Sequence, residues 1–438
     1  MDASAPPPDP PEPASGMTMA EQVLARTAGL SRVSAGQYVT AAPDVLMCHE
    51  ALTMCASQLR RVGVERLAHP ERVHVVLDHF FPAPSAAAAK DHVRARRLVE
   101  QYGITNFHGH AGICHQVLVE RACVRPGQLV LGTDSHSTTY GAVGAMGAGI
   151  GVTEMTYALA TGELWFQVPP TVRVVLTGAG GPGLMAKDLA LALGAAHGTD
   201  VAQYAAIEFA GPLAERLSTA GRMTMANMGA ELGAKFAAFP ADDRTVQYLA
   251  DAGADPAAVE RFGPQPGAAY ARTVTVDSTG LAPQVARPHN PGNVSAVGEV
   301  AGTAVHQAFL GSCTNARLED LAVAAEVLAG RRVHPRVRLL VTPASQQVFL
   351  DAVRAGHIAT LVEAGAHVTA SGCGACPGGH QGLLGPGEVC VSSTNRNFVG
   401  RMGSAEAQVY LGSPATVAAA AVAGELIDPR ELWTGSTL

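Results

Sequence analysis

The segment SGCGACPGGH (371–380) sets Cys373 and Cys376 three residues apart among glycines, and FLGSCTNARLEDL brings a third cysteine, Cys313, well upstream. A Cys-x-x-Cys pair can close a disulfide, hold zinc or hold an iron–sulfur cluster. A redox pair normally opens a helix in a compact thioredoxin-like unit, and no such pattern surrounds this one. Zinc asks for four ligands, and neither His380 nor Cys390 completes a familiar spacing. Three cysteines suit a cluster with one iron left without a protein ligand. Such an iron acts as a Lewis acid toward a hydroxyl and a carboxylate instead of serving electron transfer. Cys313 falls at a strand end ahead of a helical pattern, where the electropositive helix start favours a thiolate.

The elements that must position these residues are short β-branched runs ending in polar or glycine-rich turns, followed by alanine-rich helical patterns. VHVVL (73–77) ends at Asp78 and His79; QLVLGT (128–133) ends at Asp134, Ser135 and His136; VHQAFLGS (305–312) ends at Cys313. AHVTASG (366–372) ends at Cys373 and EVCVSST (388–394) at Asn395 and Arg396. Strand-then-helix alternation predicts parallel sheets covered by helices, and ligands bind beyond the carboxyl ends of such strands. Five strand ends carrying the unusual polar residues predict one large site assembled from distant segments. The glycine run YGAVGAMGAGIGVTE lacks a strand–GxGxxG–helix unit, so it reads as close backbone packing and not as a dinucleotide loop. Cys48, Cys55, Cys114, Cys123 and Cys390 read as small buried hydrophobes, and His74, His108, His110 and His289 as structural.

A chain of 438 residues holds several packed units. No internal repeat is visible. VPPTV (168–172) and LAPQVARPHNPGN (281–293) read as joints, giving units at 17–167, 168–285 and 286–438. Residues 1–16, MDASAPPPDPPEPASG, read as a disordered acidic tail and not a signal peptide. With 47% hydrophobic and 15% charged residues and a net charge of −7, the chain offers no basic face for nucleic acid, and no apolar run spans a bilayer. Eight cysteines without a framework pattern predict a reducing, cytoplasmic setting.

GSCTN, SGCGACPG and SSTNRNFVGRMG resemble motifs of the aconitase superfamily of iron–sulfur hydro-lyases. From about residue 20 onward the likeness includes MTMAEQVLA, VLDHFFP, GICHQVLVE, PGQLVLGTDSHSTTYGAVGAMGAGIG, MTMANMGAELGA and VYLGSPATVAAAAVAGEL, in that order. The resemblance implies an α/β fold of three aconitase-type α/β/α subdomains around a central cluster site, without the swivel domain. It implies that Cys313, Cys373 and Cys376 ligate a [4Fe-4S] cluster. Asp78 and His79 would supply a proton, while His115 with Asp134 and His136 with Glu208 would form two further carboxylate–histidine pairs. Ser135, Asn395, Arg396 and Arg401 would grip substrate carboxylates, arginine matching a carboxylate with two hydrogen bonds. The family's proton-abstracting serine belongs to the swivel domain, so a small separate swivel-type subunit is expected as partner. The implied substrate is a substituted malate, 3-isopropylmalate of leucine biosynthesis first, then homoaconitate and other alkyl- or aryl-malates. A labile-cluster iron or oxygen sensor is the rival outside enzymes, but it has no need of three such pairs with two arginines. Met54 and Pro377 depart from the family pattern, as does the proline-rich tail.

Overall fold

The computed structural model describes residues 15–438, so most of the acidic N-terminal segment lies outside the described residues. Runs rich in Val, Leu and Ala form strands, and inner ones such as Val73–Val76, Leu129–Gly132 and Gln307–Leu310 are buried on both faces, as parallel strands between helices are. Three sheets result. The first orders Asn106–Gly109, Val73–Val76, Val45–Cys48, Leu129–Gly132 and Met146–Gly149, all parallel. The second orders Phe236–Ala238, Ala206–Ala210, Thr171–Thr177 and Arg272–Asp277, again all parallel. The third has a parallel set running Gln408–Gly412, Val389–Ser392, Gln307–Leu310, Arg338–Val341 and His367–Val368. A two-stranded antiparallel ribbon, Tyr38–Ala41 with Leu164–Gln167, completes the set.

The segment 281–293 is not simply a joint. It contains the strand Gln284–Ala286, which pairs antiparallel with Val294–Ala296 and with Gln408–Gly412 and so extends the third sheet. Three residues are too few to display a period, and the turn residues Asn290, Pro291 and Gly292 dominate the local reading. By contrast, Pro169 and Pro170 do stand between the ribbon strand Leu164–Gln167 and the second sheet's Thr171–Thr177.

Side-chain oxygens cap several helix starts: Ser85, Ser345 and Ser413 accept from the backbone N–H three residues on, and Thr18 and Glu21 form a reciprocal capping box. The helix Pro414–Ala423 is alanine-rich because it is buried on nearly every side, between the helix Leu318–Leu328 and the strand Gln307–Leu310. The glycine run packs backbone on backbone. A Cβ on Gly141 would stand 1.8 Å from Ala237 O, and one on Gly147 would stand 2.0 Å from Ser137 O. Among the described residues, no helix is long and apolar enough to cross a membrane.

Candidate active site

The carboxyl ends of strands from the first and third sheets face one cleft, lined by Asp78, His79, His115, Asp134 and His136 together with Cys313, Cys373, Cys376, Asn395 and Arg401. Asp78 and His79 follow the strand Val73–Val76, and Asp134 follows Leu129–Gly132. Asp134 is the N-cap of the 3₁₀ stretch Ser135–Val143, accepting from His136 N at 2.7 Å. It is also a hub for imidazoles: Oδ1 meets His115 Nε2 at 2.8 Å and Oδ2 meets His79 Nε2 at 3.2 Å. Burial disfavours the Asp134 charge, yet His115, His136 and His79 outweigh it and hold the carboxyl well below the usual carboxylate range.

His79 is clasped from both sides, because its Nδ1 bonds Asp78 Oδ1 at 2.7 Å. Burial works against its charged form, but Cys373, Asp78 and Asp134 hold its pKa well above the ordinary value. Asp78 in turn accepts from Cys114 N at 2.7 Å through Oδ2, and its backbone carbonyl accepts from Cys373 N at 3.1 Å. The acid–base pair and the cysteine loop are thus tied together directly.

The pairing expected between His136 and Glu208 does not occur. His136 Nε2 bonds Glu231 Oε1 at 2.8 Å, and Arg396 Nε bonds the same oxygen at 2.7 Å. Glu208 lies in the second sheet, inside the strand Ala206–Ala210, where it accepts from Met19 N at 2.6 Å and from Tyr270 Oη at 2.9 Å. Strand alternation aims its side chain away from the cleft, and burial pushes its pKa up to about 7. Glu231 belongs to MTMANMGAELGA, just past the helix Thr219–Met228, four residues after Asn227. That i, i+4 polar pair in an otherwise apolar run was the available signal. Burial raises and His136 and Arg396 lower the Glu231 pKa, leaving it below the usual value, while His136 is held above its own by Asp134 and Glu231 against burial.

Asn227 is the other residue sequence reasoning missed. Fully buried, it donates through Nδ2 to Thr139 Oγ1 at 2.9 Å and toward Cys313 Sγ at 3.2 Å, and its Oδ1 accepts from Thr314 Oγ1 and Asn395 Nδ2, each at 3.0 Å. Asn395 Nδ2 also approaches Cys313 Sγ at 3.3 Å, so Asn395 serves the thiol before any substrate. Arg401 Nη2 stands 3.8 Å from Cys376 Sγ, and its buried Nε has no partner. Ser135 Oγ lies 3.3 Å from His136 Nδ1 and shares an adjoining cleft with Asp134 and Arg396. Pro377 lines the main cleft, whereas Met54 is 54% exposed on the helix Leu52–Arg61.

The helix after Cys313 does not activate it. Asp320 accepts from the N–H groups of Ala316 and Arg317 at 2.8 and 3.0 Å, which satisfies that helix start. Ser312 and Ala316 adopt left-handed backbone (φ 79 and 84), wrapping the loop around Cys313. Burial, then Asp134 and Cys376, push the Cys313 thiol up to about 12 against the two asparagine donors, and burial likewise drives Cys373 well up. A thiolate there requires a cation beside it. Three all-sulfur donors are soft, which suits iron–sulfur or zinc.

The Aconitase family (aconitate hydratase) model matches residues 21–304 and 298–424. Large subunit 1 of 3-isopropylmalate dehydratase from Methanopyrus kandleri is 47% identical over 418 residues, 95% of this chain and 99% of that one. The 3-isopropylmalate dehydratase large subunit of Mycolicibacterium smegmatis is 44% identical over 425 residues, 95% and 98% of the two chains. A probable methanogen homoaconitase large subunit from Methanothermobacter thermautotrophicus is 42% identical over 422 residues, 95% and 98%.

Proposed function

Because the chain belongs to the aconitase family, we propose that it is the large subunit of a hydro-lyase that removes water from a substituted malate, with 3-isopropylmalate of leucine biosynthesis as its substrate. The observation that carries this reading is the convergence, in one cleft, of three cysteines with a carboxylate bonded to three histidines.

The residues to hold a [4Fe-4S] cluster are Cys313, Cys373 and Cys376, and the cluster when bound supplies an iron that polarises a substrate hydroxyl. The chain's own residues do the remaining work. Hydroxide leaves a carbon slowly at neutral pH unless a proton reaches the departing oxygen. His79 holds such a proton, because Asp78 fixes its Nδ1 and Asp134 stands beside its Nε2. His115 and His136 keep Asp134 ionised, and so keep His79 charged until it is needed. Glu231 orients both His136 and Arg396, whose guanidinium, with that of Arg401, is suited to the substrate carboxylates.

Ser312, a serine that lines this cleft, is engaged with Thr314 through Thr314 N and Oγ1, which leaves the carbon-bound proton to a base on a small partner subunit. The names of the relatives, large subunits of two-chain enzymes, support the same expectation. A cytoplasmic, reducing setting suits eight free cysteines. Homoaconitate is the second reading, favoured by the 42% identical methanogen relative. The test is anaerobic cluster reconstitution, addition of a swivel-type small subunit, and assay with 3-isopropylmalate, homoaconitate and a panel of substituted malates. Turnover of 3-isopropylmalate by the pair, with little from the chain alone, is the expected result. Turnover of homoaconitate alone transfers the assignment to the second reading, and no turnover of any member overturns the hydro-lyase reading.

A further inference from the structure

At the outer edge of the first sheet, away from the catalytic cleft, His74 and His108 project from adjacent parallel strands. Their rings stack at 10° with centroids 5.3 Å apart, and His74 Nδ1 lies 3.0 Å from His108 Nε2. Beyond the helix Cys114–Glu120 the chain turns through Ala122, held at φ 50, and delivers Cys123 to the same place. One nitrogen from each ring and Cys123 Sγ all lie within 4.8 Å of one another. We propose that His74, His108 and Cys123 form a second metal site, distinct from the cluster, that takes one divalent ion of the zinc class with water in the fourth position.

Two imidazoles and a thiolate are the borderline-soft donors that zinc prefers, and three protein ligands with an open position are a known zinc arrangement. Zinc–nitrogen bonds of about 2.0–2.1 Å and a zinc–sulfur bond of about 2.3 Å put tetrahedral donors roughly 3.3–3.8 Å apart, close to the spacing already present. The rings are ready to coordinate. Burial pushes both imidazoles down to about 4, so each is neutral at physiological pH and keeps one lone pair. Burial raises the Cys123 thiol, while Arg121 and Arg125 draw it back. Without an ion, a ring-to-ring hydrogen bond satisfies the two histidines and the Cys123 thiol makes only a long contact to its own turn, donating to Arg121 O at 3.7 Å.

The protons balance. Arg121 Nη1 donates to His108 Nδ1 at 3.1 Å, which leaves the ring proton on Nε2. Coordination through Nε2 sends that proton to Nδ1, Arg121 swings out on its exposed side chain, and the Cys123 thiol proton passes to solvent. Arg121 thus competes with the ion, by position and by charge.

The experiment is titration of the cluster-loaded holoenzyme with Co²⁺ as a spectroscopic stand-in, then displacement by Zn²⁺. One Co²⁺ per chain is expected, with tetrahedral d–d absorption and a sulfur-to-cobalt charge-transfer band, while the cluster spectrum stays constant. Cys123→Ser removes the charge-transfer band, His108→Ala weakens binding by about tenfold or more, and Arg121→Ala strengthens it. Circular dichroism confirms that each variant is folded. Absence of stoichiometric Co²⁺ binding, a charge-transfer band that survives Cys123→Ser, or weaker binding in Arg121→Ala overturns the site.

Discussion

Asp134 touches three histidines and Glu231 touches a histidine and an arginine, so single carboxylates govern several positive groups at once. Removing Glu231 should therefore misplace both His136 and Arg396. Glu231→Ala is expected to lower kcat with the partner subunit by roughly a hundredfold, in the range that acid–base and positioning groups supply. Steady-state kinetics check this, and a loss under threefold counts against the role. Glu208 supplies the contrast, since it sits in the second sheet away from the cleft. Its folded pKa of about 7 lies above the ordinary glutamate value. The folded state therefore binds the extra proton, and the stability this gives is complete below about pH 4 and is lost as pH rises through 7. Glu208→Gln should leave kcat near that of the parent and flatten the fall in melting temperature between pH 5 and 8, recovering on the order of 2 kcal/mol at the upper end. Melts across that pH range decide it, and an unchanged slope refutes it.

At the scale of elements, the glycines around the Asp134 loop are there for contact. The strand Met146–Gly149 lies against the stretch Ser135–Val143, and Gly147 approaches Ser137 O too closely for any Cβ. Gly147→Ala should cost about 3 kcal/mol, as overpacking against backbone does, and should shift the Asp134 loop enough to reduce turnover. Thermal melts and kinetics on one preparation test both parts. This packing was legible in the sequence, because a glycine run without the dinucleotide pattern has few other readings. The strand ends at Asp78, Asp134, Cys313 and Asn395 were legible too, since a β-branched run halted by polar residues marks the mouth of a parallel sheet. What escaped had little local signature, for Glu231 only its i, i+4 spacing from Asn227. The strand Gln284–Ala286 exists because a neighbour accepts it, and Glu231 and Glu208 are each an isolated acid in an apolar run until folding aims one at His136 and the other at Tyr270. Choosing between them needed the tertiary structure.

Across the whole molecule, Asn227 ties distant segments together: it bonds Thr139, which follows the first sheet's strand Leu129–Gly132, and Thr314 and Asn395, which follow the third sheet's strands Gln307–Leu310 and Val389–Ser392. The same side chain meets Cys313, so folding and cluster retention share one contact. Removing the iron tests how far they depend on each other. The hydrophobic clusters under each sheet are built from Val, Leu, Ala and Phe, and of the three cysteines only Cys376 contributes to a large one. When the metal leaves, Cys313 takes a proton at any physiological pH, since burial holds its pKa at about 12. Cys313 and Cys373 are then neutral thiols, with asparagine donors beside Cys313, and neither strands a buried charge. The apo protein should keep its far-ultraviolet circular dichroism and melt cooperatively, several degrees below the reconstituted form, as expected for loss of a ligand that binds only the folded state. Asn227→Ala should behave differently. It removes one buried partner each from Thr139 Oγ1, Thr314 Oγ1, Asn395 Nδ2 and Cys313 Sγ, with a cost of about 3 kcal/mol, and it should lose iron faster on exposure to a chelator. If apo protein unfolds outright, the cluster and not the cores holds the fold together; if Asn227→Ala retains iron as the parent does, this contact does not link folding to the site.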